Sequence, residues 1–592
     1  MTLLLSATLT VTANVTIEQL GTYVSGAPLF AQGAEIVDYD SCLQRMYVTN
    51  SFTNNIDVVD LSGGDASGIS TLVTSLEHGF TDHTITSVTV MSETGLVAAT
   101  LKQLSPNVHE PGLVVFYEYE KDGDEVVYEM VGTVTVGVGP DMLTVTPDGM
   151  YILVANEGQP DEDLDATSAD FVDPDGSISV IDISDGAQAV IDDPDTYVTS
   201  LTFDYLVGTE DALRAFGVRI APGKTAPEDF EPEYITVSPD STTAFVSLQE
   251  NNSVAKIDLV NMEIVDILPL GFQDHTFIAL DPSNEDGAAT FRTLDNLLGM
   301  RMPDGMAAFE AADGELYFAT ANEGDARDYG DVPDEFRIAD IVDRLDPAVF
   351  PDTTDLADDA IFGRLHVSVY EDQTNVETLF SYGSRSFTIF DENGKLVFDS
   401  GMDFEFETLR AFPTEFNANT AFSTFDDRSD DKGPEPESID VGMVGDRIYA
   451  FIGLERMGGV MIYDITVPAE SFFVDYVNNR DFSVSSDVVF EDASASGDLG
   501  PEGIKFVPPE DSPIPGTPLL LVANESSGTT TVYEVTSGDM AATETGKGKG
   551  KKKKKKTANE AGKGSNLVRQ RRLNGNGGSK GKGKGSSKQC PF

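Results

Sequence analysis

One unit recurs along this chain, and the recurrence leaves few folds open. GPDMLTVTPDGMYILVANEG followed by GSISVIDI, EPEYITVSPDSTTAFVSLQENNSVAKIDL, and GPEGIKFV followed by LLLVANESSGTTTVYEV keep one order. Each is an apolar strand, a turn, a second apolar strand ending in Asn-Glu or Gln-Glu, and a third strand. Four degenerate copies complete the series: GAEIVDYDSCLQRMYVTNS with NNIDVVDL, TSVTVMSETGLVAATLKQ with GLVVFYEY, MPDGMAAFEAADGELYFATANEG, and EPESIDVGMVGDRIYAFIGLERMGGVMIYDI. Segments such as TYVTSLTF and EIVDILPL supply a fourth strand. Four short strands bury their faces only against neighbouring copies, so the seven copies predict an all-β fold: a seven-bladed β-propeller of four-stranded antiparallel blades. The last copy stops at three strands, and Val15–Tyr23 ahead of the first has strand composition, so an N-terminal strand is expected to close the ring.

Domain boundaries follow from the same pattern, with a propeller over 14–540 and a Gly/Lys-rich tail over 541–592 that has too little apolar content for a core. Residues 1–13 have the apolar stretch and the small-residue junction, Val11-Thr12-Ala13, of an export signal, though no basic start; a buried strand is the other reading. The longest apolar run, Leu3 to Val11, is far short of the ~20 residues of a spanning helix. Long acidic insertions interrupt the repeats at 158–176, 272–300, 324–378 and 403–433, where loops of that length carry function or their own cap structure.

Charge separates body from tail. The chain has 101 Asp plus Glu against 38 Lys plus Arg, yet 13 Lys and 3 Arg fall after Gly546 beside the single acid Glu560. The body therefore repels nucleic acid and attracts cations. The tail has the composition to meet an anionic wall polymer, silica or a membrane surface, or to fold back on the body's acidic rim. Two cysteines, Cys42 and Cys590, make no thiolate metal cluster, and Cys590 so near the C-terminus is a candidate for an intermolecular disulfide.

The start of a blade's first strand and the end of its second lie at one end of the sheet. At the first position the copies carry Glu35, Thr86, Asp141, Glu233, Asp304, Glu437 and Glu502; at the second, Ser51, Lys102, Glu157, Glu250, Glu323, Glu455 and Glu525. Eleven carboxylates should meet at one mouth of the tunnel, displaced away from the first two blades. Like charges at close range need compensation. Oxygen ligands with few His favour Ca²⁺, with Mg²⁺ or another divalent ion as the other candidates. Asp141, Glu157, Asp304, Glu323, Glu437, Glu502 and Glu525 are candidate ligands, joined by Asp325 and Asp328 in ANEGDARDY and Glu435 in RSDDKGPEPE. A repeated acid at a strand start can instead lock blades together by accepting backbone N–H bonds. Arg301, Arg327, Arg385, Lys432 and Arg456 are the candidate counter-charges, and His275 beside Asp274 is a candidate general base or phosphate contact.

Taken together, GAEIV, GPDMLTVTPDGMYILVANEG, MPDGMA with ANEGDARDY, SYGSRSF, RSDDKGPEPES and FIGLERMGGVMIYDI resemble the choice-of-anchor I propeller family over about residues 14–536. That family includes cell-surface glycoproteins and atypical alkaline phosphatases of cyanobacteria and microalgae. The resemblance implies a secreted or surface-attached propeller that binds divalent cations and releases phosphate from small phosphomonoesters. It implies that metal held by Glu323, Asp325, Asp328, Glu435, Glu437 and Glu502 binds phosphoryl oxygens while Arg385, Arg456 and Lys432 neutralise developing charge. The competing expectation is a non-catalytic, calcium-binding adhesive or matrix propeller.

Overall fold

A computed structural model describes residues 14–63, 72–105, 107–123, 125–160, 171–327, 334–370, 373–422, 424–538 and 590. The candidate export segment 1–13, Asp328 and the Lys-rich run to Gln589 lie outside the described residues.

The second strand of each repeat is apolar almost throughout, as in Tyr151–Asn156 (YILVAN), because it is covered on both faces by adjacent sheets. Its partners extend the hydrogen-bonded ladder on both sides. Pro140–Val145, Tyr151–Asn156, Ser177–Asp182 and Val198–Thr202 form one four-stranded antiparallel sheet in chain order. The TPDG turn joining the first two is closed by the Thr146 hydroxyl donating to Asp148 across 2.7 Å, and by Gly149 at φ 70°.

Six further four-stranded sheets are present among the described residues. Numbered as blades in chain order, blade one begins at Val37–Asp40, two at His83–Met91, three at Pro140–Val145, four at Pro232–Val237, five at Met306–Glu310, six at Pro436–Val444 and seven at Pro501–Val507. In blade seven, Asn14–Val24 pairs antiparallel with Thr529–Gly538, setting Ile17 opposite Val535. Each leading strand packs against the leading strands of its two neighbours, and that of blade seven against that of blade one. Together they line a central cavity of about 330 Å³.

The apolar core is distributed between sheets. Phe245 of blade four and Phe318 of blade five stack with ring centroids 4.6 Å apart, and Phe451 of blade six meets Phe506 of blade seven at 5.6 Å. Full burial of such a ring contributes about 1.5–3 kcal/mol. Gly442 permits the second stack, since a Cβ there would lie 2.4 Å from Phe506.

Blade five is interrupted between Leu316–Ala321 and Phe387–Asp391. Residues from this interruption, with the segment after blade four, build a separate five-stranded sheet: Phe272–Asp274, Leu297–Met300, Leu379–Ser381, His366–Ser368 and Glu335–Arg337. It has its own core of Leu297, Ile338, Ile341, Leu365, Val367 and Leu379. The acidic insertions at 272–300 and 324–378 thus carry structure of their own.

Cys42 and Cys590 form a disulfide within the chain, with Cα atoms 5.6 Å apart, which corrects the expectation that Cys590 bridges to another molecule. Cys42 sits in the turn after Val37–Asp40, and Gly538 ends Thr529–Gly538; both strands run away from the end of the tunnel that carries Glu35 and Glu525. Both anchors of the Lys-rich segment therefore stand at the face opposite the acidic one.

Candidate metal centre

The acidic mouth is built by one repeated local device. Pro140, Pro232, Pro436 and Pro501 each start a leading strand, paired with the end of the second strand, and a register shift follows at once. The first residue within each irregularity is Asp141, Glu233, Glu437 or Glu502. A bulge re-aims the side chain it displaces, and it sets these acids beside Glu157, Glu250, Glu455 and Glu525, which follow the second strands within two residues. Asp304 and Glu323 take the corresponding places in blade five.

The blade-locking role belongs to other acids. Asp38 accepts from the Val90 N–H at 2.8 Å and Asp440 from the Phe506 N–H at 2.7 Å, each across a blade boundary inside the tunnel.

The mouth carboxylates crowd one another out of water, and burial and mutual repulsion push their pKa values upward. Glu35 rises to about 8 and Asp141 to about 7, burial leading in both and a neighbouring carboxylate second, Asp141 for Glu35 and Glu157 for Asp141. Glu233, Glu250, Asp304, Glu437, Glu455 and Glu502 are raised well above the ordinary range for the same reasons. Ligand oxygens of Asp304, Glu437 and Glu502 lie within 4.8 Å of one another, as do those of Glu323, Glu437 and Glu455. Glu437 belongs to both triads. Its side chain is buried and its Oε2 has no hydrogen-bond partner, a condition shared by Oε2 of Glu233 and of Glu250. A shut-in carboxylate oxygen facing other carboxylates calls for a proton or a cation, and an all-oxygen set of this kind fits Ca²⁺ or Mg²⁺.

Counter-charge enters mainly from the blade-six side. Lys432 donates to Glu323 and to Asp325 across 2.8 Å each and lies 3.4 Å from Glu435. Arg456 reaches Glu435 at 2.8 Å and Glu455 at 2.5 Å. Lys102 pairs with Glu157 at 2.8 Å, and the Ser51 hydroxyl donates to Glu35 at 2.9 Å, so the two non-acidic residues at the second position each serve an acid.

Several expected site residues take other roles. Glu435, fully buried, is gripped by Arg428 through one oxygen and by Arg456 through the other, and Lys432 with these two arginines holds its carboxyl well below the usual range despite burial. It anchors cations, and both its oxygens are taken. Asp325 pairs with Lys432 on a side chain 60% exposed, at the edge of the mouth. Arg385, expected to neutralise developing charge, is 3% exposed and spends its guanidinium on Glu405 at 2.7 Å and on the carbonyls of Asp281, Ser429 and Asp431. It pins the loop that carries Lys432. Arg301 is committed to Asp399 at 3.0 Å, and Arg327 lies 3.1 Å from Asp229. His275, 1% exposed, has Nδ1 against the Ile278 carbonyl at 2.9 Å; burial pushes its pKa down to about 4, and a general base so enclosed reaches no substrate.

Sequence reasoning missed Arg428 as a partner of Glu435, and Glu335 and His366 altogether. The latter two stand in an insertion with no repeat to align. The only signal was the acidic cluster around Asp430 and Asp431.

The family model for the choice-of-anchor I domain matches residues 35–468. Gigasin-3a of Magallana gigas is 32% identical over 189 residues, covering 30% of this chain and 66% of that protein. The mesenchyme-specific cell surface glycoprotein of Strongylocentrotus purpuratus is 30% identical over 285 residues, 41% of this chain and 37% of that protein. The chain thus spans less than two thirds of the length of either relative. Among solved structures, the hydrazine synthase of Kuenenia stuttgartiensis aligns over 86% of this chain and 98% of that chain at 12% identity with a TM-score of 0.41, which carries no argument about activity.

Proposed function

The chain belongs to the choice-of-anchor I family, and from that premise we propose a secreted or cell-surface propeller whose acidic mouth binds divalent cations, calcium foremost, and releases phosphate from small phosphomonoesters. One observation carries the cation half: Glu437 is buried, is shared by two carboxylate triads, and has an oxygen without a partner. Asp304, Glu323, Glu455 and Glu502 would complete the ligand set. A cation there would supply charge neutralisation and a Lewis-acid contact for a phosphoryl oxygen.

The hydrolytic half rests on placement. Lys432 and Arg456 line a cavity of about 320 Å³ next to the mouth, together with Arg327 and Arg428. Cationic heads around a solvent-reached space suit a phosphate ester, whereas the mouth alone, without metal, repels one. The deciding experiment is hydrolysis of a chromogenic phosphomonoester at alkaline pH, before and after chelation, with calcium, magnesium and manganese restored singly. Activity lost on chelation, restored by one metal and abolished in Glu437→Gln carries the proposal; no turnover with any metal sinks its hydrolytic half.

A second reading is favoured by the likeness to a protein named for the cell surface: a non-catalytic, calcium-binding adhesive or matrix propeller. The Lys-rich segment would then engage an anionic wall, silica or membrane surface while the mouth holds calcium.

A further inference from the structure

Beside the mouth, a second group of side chains converges outside the oxygen-only ring. Glu335–Arg337 pairs antiparallel with His366–Ser368, placing Arg337 opposite His366 and Glu335 opposite Ser368, so Glu335 and His366 share one face of the added sheet. Asp431 comes from the loop leading into blade six. That loop is fixed on the sheet, because the His366 N–H donates to the Asp430 carbonyl at 3.1 Å and Arg385 holds the carbonyls of Ser429 and Asp431 at 2.7 Å. The far oxygen of Asp431 is oriented by Arg428 at 2.7 Å.

Nδ1 of His366 lies 2.9 Å from Glu335 Oε1 and 3.7 Å from Asp431 Oδ1, with the three ligand atoms within 4.8 Å of one another. All three are electron-pair donors when the imidazole is neutral. A single proton on Nδ1 cannot serve both carboxylates, since 3.7 Å is beyond hydrogen-bond reach. Nδ1 is shut off from solvent and poorly aligned with either carboxylate; despite burial, Asp431 and Glu335 raise the imidazole pKa to about 9, so a metal ion entering here takes the place of that proton. A tetrahedral metal with bonds of about 2.05 Å has ligand–ligand edges of about 3.3 Å, and the two separations straddle that value.

We propose that Glu335, His366 and Asp431 form a transition-metal site distinct from the calcium mouth, whose open coordination positions face the adjoining cavity and take an oxyanion. The imidazole favours a borderline ion such as zinc over calcium, and the two carboxylates leave the harder manganese as the second candidate. Glu335 and Asp431 line the cavity with Arg327, Arg428, Lys432 and Arg456, and its remaining acids are Asp325 and Asp334. Four cationic and four acidic side chains line the cavity, and a bound divalent ion adds positive charge to it. The oxyanion half rests on the hydrolytic reading above; the metal half does not.

The test is calorimetric titration of the full chain with zinc alone, then manganese alone, in excess calcium so that the mouth is occupied. One added equivalent is expected, weakened at least ~100-fold in both His366→Gln and Glu335→Gln and unchanged in Glu437→Gln. Retained calcium binding shows that each variant is folded, and Glu335, with a side chain 37% exposed, is the milder of the two. No zinc or manganese uptake, or uptake indifferent to both substitutions, overturns the site. Inorganic phosphate is then titrated with and without zinc. Phosphate binding only in the zinc-loaded protein supports the oxyanion half; zinc bound with no gain in phosphate binding overturns it and leaves the metal site standing.

Discussion

Lys432 donates to Glu323 across 2.8 Å, and through this bond the loop ahead of blade six neutralises the end of blade five's second strand. The ammonium is buried among Glu323, Glu435, Asp325 and Asp431, which raise its pKa well above the usual value despite desolvation. Breaking such a pair leaves buried charge behind. Lys432→Met is therefore expected to cost about 3 kcal/mol in denaturant unfolding of the calcium-free protein, and added calcium should return most of it by taking the place of the ammonium. A loss equal with and without calcium would show that Lys432 and the cation site are not coupled.

Glu437→Gln removes a charge from both triads while keeping the volume of the side chain. Fewer like charges meet in the chelated protein, so its melting temperature should hold or rise. Calcium affinity, which depends on ligand charge count, should fall more than ~10-fold. Thermal unfolding with and without chelator checks both. A variant that melts lower in chelator and still responds to calcium as the parent does would remove Glu437 from the ligand set.

The same crowding predicts a dependence on pH. Glu35 and Asp141 titrate near 8 and 7 in the folded chain, above the 4.5 and 3.8 of the free side chains. The folded state thus holds more protons than the unfolded one in that window. Its stabilisation from these groups is complete below their ordinary values and is lost as pH rises through about 7 to 8. The melting temperature of calcium-free protein should fall between pH 6 and 9, and saturating calcium should flatten the decline, because the cation replaces the protons. A flat or rising calcium-free profile would rule out carboxylates titrating there.

The repeats made the strands and the acidic mouth legible, because a propeller blade buries its second strand on both faces and the sequence answers with runs such as YILVAN and LLLVAN. Each Pro-acid pair at a strand start marked a bulge that turns the acid toward its neighbours. Side-chain commitments were not legible. Arg385 stands next to a strand of the mouth, as expected, but Glu405 and three carbonyls claim it, and those partners come from insertions that no repeat aligns. Glu435 and Glu437, two residues apart, have opposite fates: Arg428 and Arg456 converge on the first, and other carboxylates on the second. Only the folded neighbourhood distinguishes them. His366 and Glu335 became neighbours through a sheet assembled within an insertion, where no periodicity reports pairing.

The Cys42–Cys590 bridge fixes the far end of the Lys-rich segment to blade one, and Gly538 fixes the near end to blade seven. The sequence between carries six consecutive lysines, Lys551 to Lys556. Brief trypsin treatment should cut there, yet the C-terminal piece should stay covalently bound to the body until a reductant is added. Non-reducing and reducing gels of the same digest, probed for an epitope inserted just ahead of Cys590, read this directly. Cys42→Ser should release the piece without reductant, and the intact parent should run as a monomer on the non-reducing gel. Release from the parent without reductant, or a disulfide-linked dimer, would mean that Cys590 does not pair with Cys42. If the bridge holds, both ends of the cationic segment are covalently fixed to the propeller, one through Gly538 and the other through Cys42.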